Sequence, residues 1–263
     1  MKGLIRQQEG FSRGYTAICA IGRKHKEMGM DFGILKLGAG EKRELGPGRE
    51  RALTLLGGSA ALEWDGGSAS IARSSVFDES PWCLHVPAGV AVTVSGRKGG
   101  AEIAVAAADN DRAFEPKLYT PAECRSEERG KGTMRETSTR IVRTVVDDTN
   151  APWANLVVGE AVSFPGKWSS YPPHHHPQPE VYHYRTLPEH GFGLAALGTE
   201  ACQVRHLDTL LIPPGLDHPQ VAAPGYALYY LWVIRHLDGQ RYGTPEFTKE
   251  HAWVMEPKAK IWP

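Results

Sequence analysis

Three consecutive histidines follow two prolines and precede a glutamate in the run Tyr171-Pro172-Pro173-His174-His175-His176-Pro177-Gln178-Pro179-Glu180. In an extended segment side chains alternate faces, so His174 and His176 share a side while His175 points away. Glu180 lies an even number of residues further on, and a short turn through the prolines closes it on the same side. A fourth ligand has to come from a distant strand, and His218 in Pro213-Pro214-Gly215-Leu216-Asp217-His218 is the candidate. Three neutral imidazoles and one carboxylate suit a divalent metal, zinc first and manganese, iron(II) or nickel after it, with coordination positions left open for substrate or water. For any one of these histidines a solvated loop is the alternative. The joint pattern H-x-H-x3-E, followed downstream by P-x-G-x2-H, favours the metal.

Strands must position such a set. Short apolar runs at 52–56, 84–86, 91–94, 156–158, 210–212 and 227–234 are bounded by glycine and proline, which number 29 and 19. Runs of that length and punctuation read as β-strands, and many of them at close spacing indicate an all-β sandwich or barrel. No long stretch carries clean helical periodicity. The polar, charge-rich segment 123–143 interrupts the pattern and reads as a connection between residues 1–122 and 144–263. Both halves carry an apolar strand end followed by Pro-x-Gly: Val86-Pro87-Ala88-Gly89-Val90-Ala91-Val92 in the first, Ile212 to His218 in the second. A matching element in each half points to duplication of one barrel. Where the second half has His218 the first has Val92, and its stretch Gly40-Glu41-Lys42-Arg43-Glu44-Leu45 lacks His-x-His. One barrel therefore holds a site and the other serves as scaffold.

Composition bounds the partners. The 263 residues suffice for two domains of roughly 100–150 residues, and 41% are hydrophobic, enough to bury a sizeable core. Lys plus Arg (30) equals Asp plus Glu (30), a balance that argues against nucleic acid or an anionic membrane surface as partner. No apolar run reaches the length of a membrane span and the first ten residues lack a signal-peptide core, so a cytoplasmic location is expected. Cys19, Cys83, Cys124 and Cys202 form no C-x-x-C pair and read as small buried hydrophobes.

The two histidine segments are similar to the paired motifs of the cupin superfamily, G-x5-H-x-H-x3–4-E-x6-G and G-x5-P-x-G-x2-H. The match is close at the ligands and looser at the glycines: Gly166 falls two residues early, and Leu187 stands where the first motif ends on glycine. A more specific resemblance covers nearly the whole chain. Gly166-Lys167-Trp168-Ser169-Ser170-Tyr171-Pro172-Pro173-His174 resembles the G-x-W-S-S-Y-P-P-H run of the 5-deoxyglucuronate isomerases of inositol catabolism. So do Gly14-Tyr15-Thr16, Arg129-Gly130-Lys131-Gly132, Ala223-Pro224-Gly225-Tyr226, Tyr229-Tyr230-Leu231 and His251-Ala252-Trp253-Val254. That family is related to the 5-keto-4-deoxyuronate isomerases. The resemblance implies an all-β bicupin, two jelly-roll (double-stranded β-helix) barrels with metal in the C-terminal one only. It also implies a small sugar-acid substrate and a homo-oligomer. Trp232 stands where the family usually has Asn, and Pro177-Gln178-Pro179 shortens its usual insertion. Both departures border the pocket and bear on substrate identity.

An aldose–ketose isomerisation moves a proton between neighbouring carbons through an enediol, so a base and oxyanion stabilisation are needed and a redox cofactor is not. Tyr182 and Tyr184 share the face of Glu180 by parity, and one of Tyr229 and Tyr230 must face the barrel interior. These tyrosines are the candidates for proton handling or substrate contact, with a core aromatic as the alternative for each. Lys167 and Arg185 are the candidates for holding a substrate carboxylate, with a solvated surface cation as the alternative. An Fe(II) cupin oxygenase and a non-enzymatic sugar-binding cupin are the competing readings.

Overall fold

The computed structural model describes residues 1–7 and 9–262. Nearly all regular structure in it is β-strand, as the apolar runs require. Two compact units form: a C-terminal one of Met1–Gln8, Ser126–Arg143 and Gly159–Pro263, and an N-terminal one of Glu9–Arg125 and Thr144–Val158. This differs from a division at 122 and 144. The first residues join the C-terminal unit because Leu4–Ile5 pairs with Thr209–Ile212 as an added strand. Residues 126–143, expected as a mere connection, also belong to that unit. Among the described residues no helix is long and apolar enough to cross a membrane.

The N-terminal unit is built on an eight-stranded sheet. Its two longest strands, Glu50–Trp64 and Val92–Ala108, pair antiparallel along most of their length, with register shifts at Leu55/Gly57 and Gly58/Ala60. Gly58 sits there at φ +83°, and a Cβ on it would stand 2.2 Å from the Gly100 carbonyl oxygen, so only glycine fits the bulge. The core inside is wholly apolar: Leu35, Leu53, Leu62, Leu84, Val94 and Ile103 pack together, and Val92 is fully buried among them. The position answering to His218 is thus a hydrophobic contact.

A polar cluster around Glu50 is buried in this unit. Glu50 opens its strand with no exposure and accepts hydrogen bonds from Asn110 Nδ2 (2.6 Å) and the backbone N–H groups of Asn155 (2.8 Å) and Leu156 (3.2 Å). His85 Nε2 lies 2.8 Å from it, and the His85 ring stacks on Phe114 at 4.6 Å.

The C-terminal unit combines a seven-stranded sheet, whose central strands are Glu180–Leu187, Ala227–Arg235 and Leu156–Ser163, with a four-stranded sheet of Trp168–Ser169, Gln220–Ala222, Phe192–Leu197 and Glu200–Arg205. Ala161, Tyr182, Tyr184, Leu210 and Tyr230 from the first sheet pack on Ala195, Leu197, Val204 and Ala222 from the second. The pairing of Glu180–Leu187 with Ala227–Arg235 sets the faces: Tyr184 lies opposite Tyr230 and Tyr182 opposite Trp232, while Arg185 lies opposite Tyr229. Unlike its N-terminal counterpart, this interior is aromatic and hydroxyl-bearing.

Replacing Glu50 by alanine leaves several buried donors without an acceptor and should lower stability by about 3–5 kcal/mol. Urea unfolding measures this, and a loss below about 1 kcal/mol would show that the cluster is not a structural lock.

Candidate metal centre and its cavity

Three side chains converge at the inner wall of the C-terminal unit. His176 Nε2 lies 3.2 Å and His218 Nε2 3.3 Å from the same oxygen, Oε2 of Glu180, and all three residues are buried. The proton positions follow from the other ring nitrogens. His176 Nδ1 is 2.9 Å from the Gln178 carbonyl and His218 Nδ1 is 2.8 Å from the Leu216 carbonyl, so each Nδ1 donates, and in the neutral ring each Nε2 carries a lone pair. Two lone pairs and a carboxylate oxygen therefore face one another. His218 Nε2 is buried and makes no hydrogen bond. Burial pushes the His218 imidazole well below its ordinary range and pushes the Glu180 carboxyl up, with the His176 contact opposing the latter. A divalent cation fits this donor set: neutral imidazoles oriented through backbone carbonyls, plus a carboxylate.

Local chain geometry delivers each donor. Glu180 begins the strand Glu180–Leu187. His218 follows the Pro-Pro-Gly turn, where Gly215 at φ +76° donates its N–H to the His176 carbonyl (2.9 Å), tying the two motifs together. His174 stands beside the group without joining it: its ring centroid is 4.9 Å from that of His218, and the three convergent donors do not include it. Its Nδ1 faces the Pro172 carbonyl at 3.2 Å, and burial holds its pKa down to about 4, so it too is a neutral imidazole. His175 turns away, as alternation requires, to Asp217 at 2.9 Å.

A cavity of about 490 Å³ opens on this wall, lined among others by His174, His176, Glu180, Tyr182, Tyr230, Trp232 and Ser170. Ser170 Oγ links the two tyrosine hydroxyls, 3.0 Å from Tyr182 and 3.2 Å from Tyr230, whose rings stack at 4.3 Å. Burial raises both phenols, which keeps them neutral hydrogen-bond donors.

Several expected roles are not met. Tyr184 shares the face of Glu180 but lies deeper, its hydroxyl donating to Gln220 Oε1 at 2.6 Å inside the core. Tyr229 takes the opposite face and donates to Glu160 Oε1 at 2.6 Å. Arg185, an odd number of residues from Glu180, also falls on that opposite face, and its Nη1 lies 3.4 Å from His206 Nε2. Lys167 sits in the turn before Trp168–Ser169. Neither cation lines the cavity; Arg129 and Arg140 do, from the segment read as a connection. Parity would have excluded Arg185, whereas nothing in the polar run 123–143 marks Arg140.

The β-architecture and the paired histidine motifs together define a cupin. A model of the KduI/IolB family matches residues 4–254, and the chain belongs to that family. It is 30% identical over 231 residues, 80% of each chain, to the 5-deoxy-glucuronate isomerase of Geobacillus thermodenitrificans (strain NG80-2). It is 32% identical over 202 residues, 71% of this chain and 70% of the other, to that of Geobacillus kaustophilus (strain HTA426). Among solved structures it is similar to an IolB-like protein from Salmonella typhimurium LT2, with a TM-score of 0.86 and 26% identity over 97% of this chain and 99% of that one. Oxalate decarboxylase from Bacillus subtilis shares the cupin fold at a TM-score of 0.65 and 13% identity, over 94% of this chain and 77% of that one. The chain is an enzyme of the isomerase class.

The bulk of Trp232 fits only because residue 159 is glycine: a Cβ there would stand 2.1 Å from Trp232 Cζ2 and 2.5 Å from the Arg143 carbonyl oxygen. Gly159→Ala should therefore cost about 1–3 kcal/mol of stability and displace Trp232 in the cavity. Thermal unfolding and tryptophan fluorescence read both effects; an unchanged melting temperature would contradict this packing.

Proposed function

We propose that the protein is a metal-dependent aldose–ketose isomerase acting on a deoxy-uronate, most specifically 5-deoxyglucuronate, which it converts to 5-dehydro-2-deoxygluconate. The supporting observation is the set of three mutually facing acceptors, His176, Glu180 and His218, on the wall of a cavity that also presents two neutral tyrosines. The names of the matched relatives point to the same substrate.

The reaction takes a proton from C2 and returns one to C1, passing through an enediol, with no net oxidation. His176, Glu180 and His218 would hold the metal, with His174 completing the set. When bound, that cation supplies positive charge where the carbonyl and adjacent hydroxyl oxygens gain negative charge. Tyr182 and Tyr230 donate hydrogen bonds to substrate oxygens, and Ser170 fixes the orientation of both hydroxyls. Trp232, Ile234 and Phe247 exclude water from the reacting carbons. No residue is assigned as the proton-transferring base.

The test is an anaerobic incubation of the metal-loaded protein with 5-deoxyglucuronate in deuterated water, followed by NMR. Ketose should form without oxygen, disappear after chelation, return on adding zinc or manganese, and be lost by at least about 100-fold in His176→Ala. Turnover that requires oxygen would favour an oxygenase. No conversion by a fully metallated protein would overturn the substrate assignment.

A further inference from the structure

Among the described residues the cavity is lined by one cation with no acidic partner. Arg140 opens the strand Arg140–Val146 and lines the cavity together with Val142, two residues on and hence on the same face of the strand. Its Nη1 is anchored, donating to the Ser138 carbonyl oxygen at 2.7 Å and to Ser138 Oγ at 2.9 Å. Among the described residues its Nε and Nη2 donate to nothing, and no carboxylate pairs with it. Ser138 is itself fixed, its hydroxyl donating to the Trp168 carbonyl at 3.1 Å. The charged and polar groups acting on Arg140 are Tyr230, Tyr182 and the cation of Arg129, and the field of Arg140 in turn reaches His174. Arg129, by contrast, is exposed and already paired with Glu127 at 2.9 Å.

A half-buried guanidinium without a counter-charge is costly, so such residues are ordinarily found paired. Here the edge left over after anchoring presents two parallel N–H donors, the geometry that matches a carboxylate bidentately. We propose that Arg140 is the residue that binds the substrate's carboxylate, and that it restricts this cavity to sugar acids. The proposal rests on the isomerase reading for the identity of the reacting end: the carboxylate sits on Arg140 while the carbonyl end faces His176, Glu180 and His218. Ser138 acts as a positioning residue. The role expected for Lys167 or Arg185 falls instead to a residue of the segment that looked like a linker.

The test compares the metal-loaded wild type with Arg140→Gln and Arg140→Lys on two probes. The first is 5-deoxyglucuronate turnover, set against its neutral analogue with a primary alcohol in place of the carboxylate. The second is binding of D-glucarate, which has carboxylates but no aldehyde to isomerise, followed by calorimetry. In Arg140→Gln the KM for the uronate should rise and glucarate affinity should fall by about 10- to 150-fold, the equivalent of a charged hydrogen-bond pair. kcat should change far less, and the neutral analogue should be handled as by the wild type. Arg140→Lys should recover part of the affinity. If Arg140→Gln fails to fold, Arg140→Lys carries the test, with a smaller rise in KM for the uronate alone. Unchanged KM and glucarate binding in either folded variant would overturn the proposal, as would equal losses for the uronate and its neutral analogue. A metal-loaded wild type that binds neither acid also overturns it. Glucarate bound through Arg140 without any uronate turnover would instead uphold Arg140 and reject the isomerase reading.

Discussion

Two imidazole lone pairs and a carboxylate oxygen meet inside the C-terminal unit, each within about 3.3 Å of the next across Glu180 Oε2. Nothing in a folded chain gathers electron-pair donors this closely without compensation, because burial removes the water that would otherwise solvate them. The backbone prevents the simplest escape. Carbonyls of Gln178 and Leu216 hold the ring protons on the Nδ1 atoms, so as neutral rings neither histidine can turn an N–H toward Glu180 without losing a hydrogen bond. A proton on Glu180 relieves part of the repulsion, and a divalent cation relieves all of it. The surrounding structure keeps the arrangement in place: the Pro-Pro-Gly turn is tied to the histidine run through Gly215, and Glu180 is locked in register between two strands.

Strand alternation distributes everything else around that centre. From Glu180 onward, even positions look into the unit and odd ones away, which brings Tyr182 to the cavity and takes His183 and Arg185 from it. The facing strand does the same for Tyr230 and Tyr229. Ser170, held at φ 50°, then bridges the two cavity tyrosines. In the N-terminal unit the same kind of interior is filled with Leu, Val and Ile, and Val92 packs where a ligand would be needed. The two units thus differ inside: one gathers polar groups around a cavity, and the other buries an apolar core with polar groups such as Glu50 and Arg73 hydrogen-bonded at its margins.

Much of this was legible before any coordinates. The strand runs and the ligand types at their spacing follow from local rules of alternation and punctuation. His176, Glu180 and His218 come together as that spacing implies, with His174 alongside. What failed was of two kinds. Parity puts Tyr182 and Tyr184 on one face and Arg185 on the other, but parity alone does not reveal depth, and Tyr184 bonds Gln220 in the core rather than lining the cavity. The other kind is tertiary: a charged, glycine-containing stretch reads as solvated linker, yet folding brings Arg129, Met134 and Arg140 against the cavity. Likewise Gly159 has no local signal; its need for hydrogen in place of a side chain arises from Trp232 and the Arg143 carbonyl on its two neighbouring strands.

The most direct measurement is a crystal structure of the protein as purified, with anomalous data collected at the absorption edge of whatever metal elemental analysis finds. A single strong peak about 2.0–2.2 Å from His176 Nε2, His218 Nε2 and a Glu180 carboxylate oxygen, with His174 Nε2 turned toward it, is the predicted result. Full metal content with the peak elsewhere, or a well-ordered His176–Glu180–His218 group holding only a shared proton in fully active protein, would contradict it.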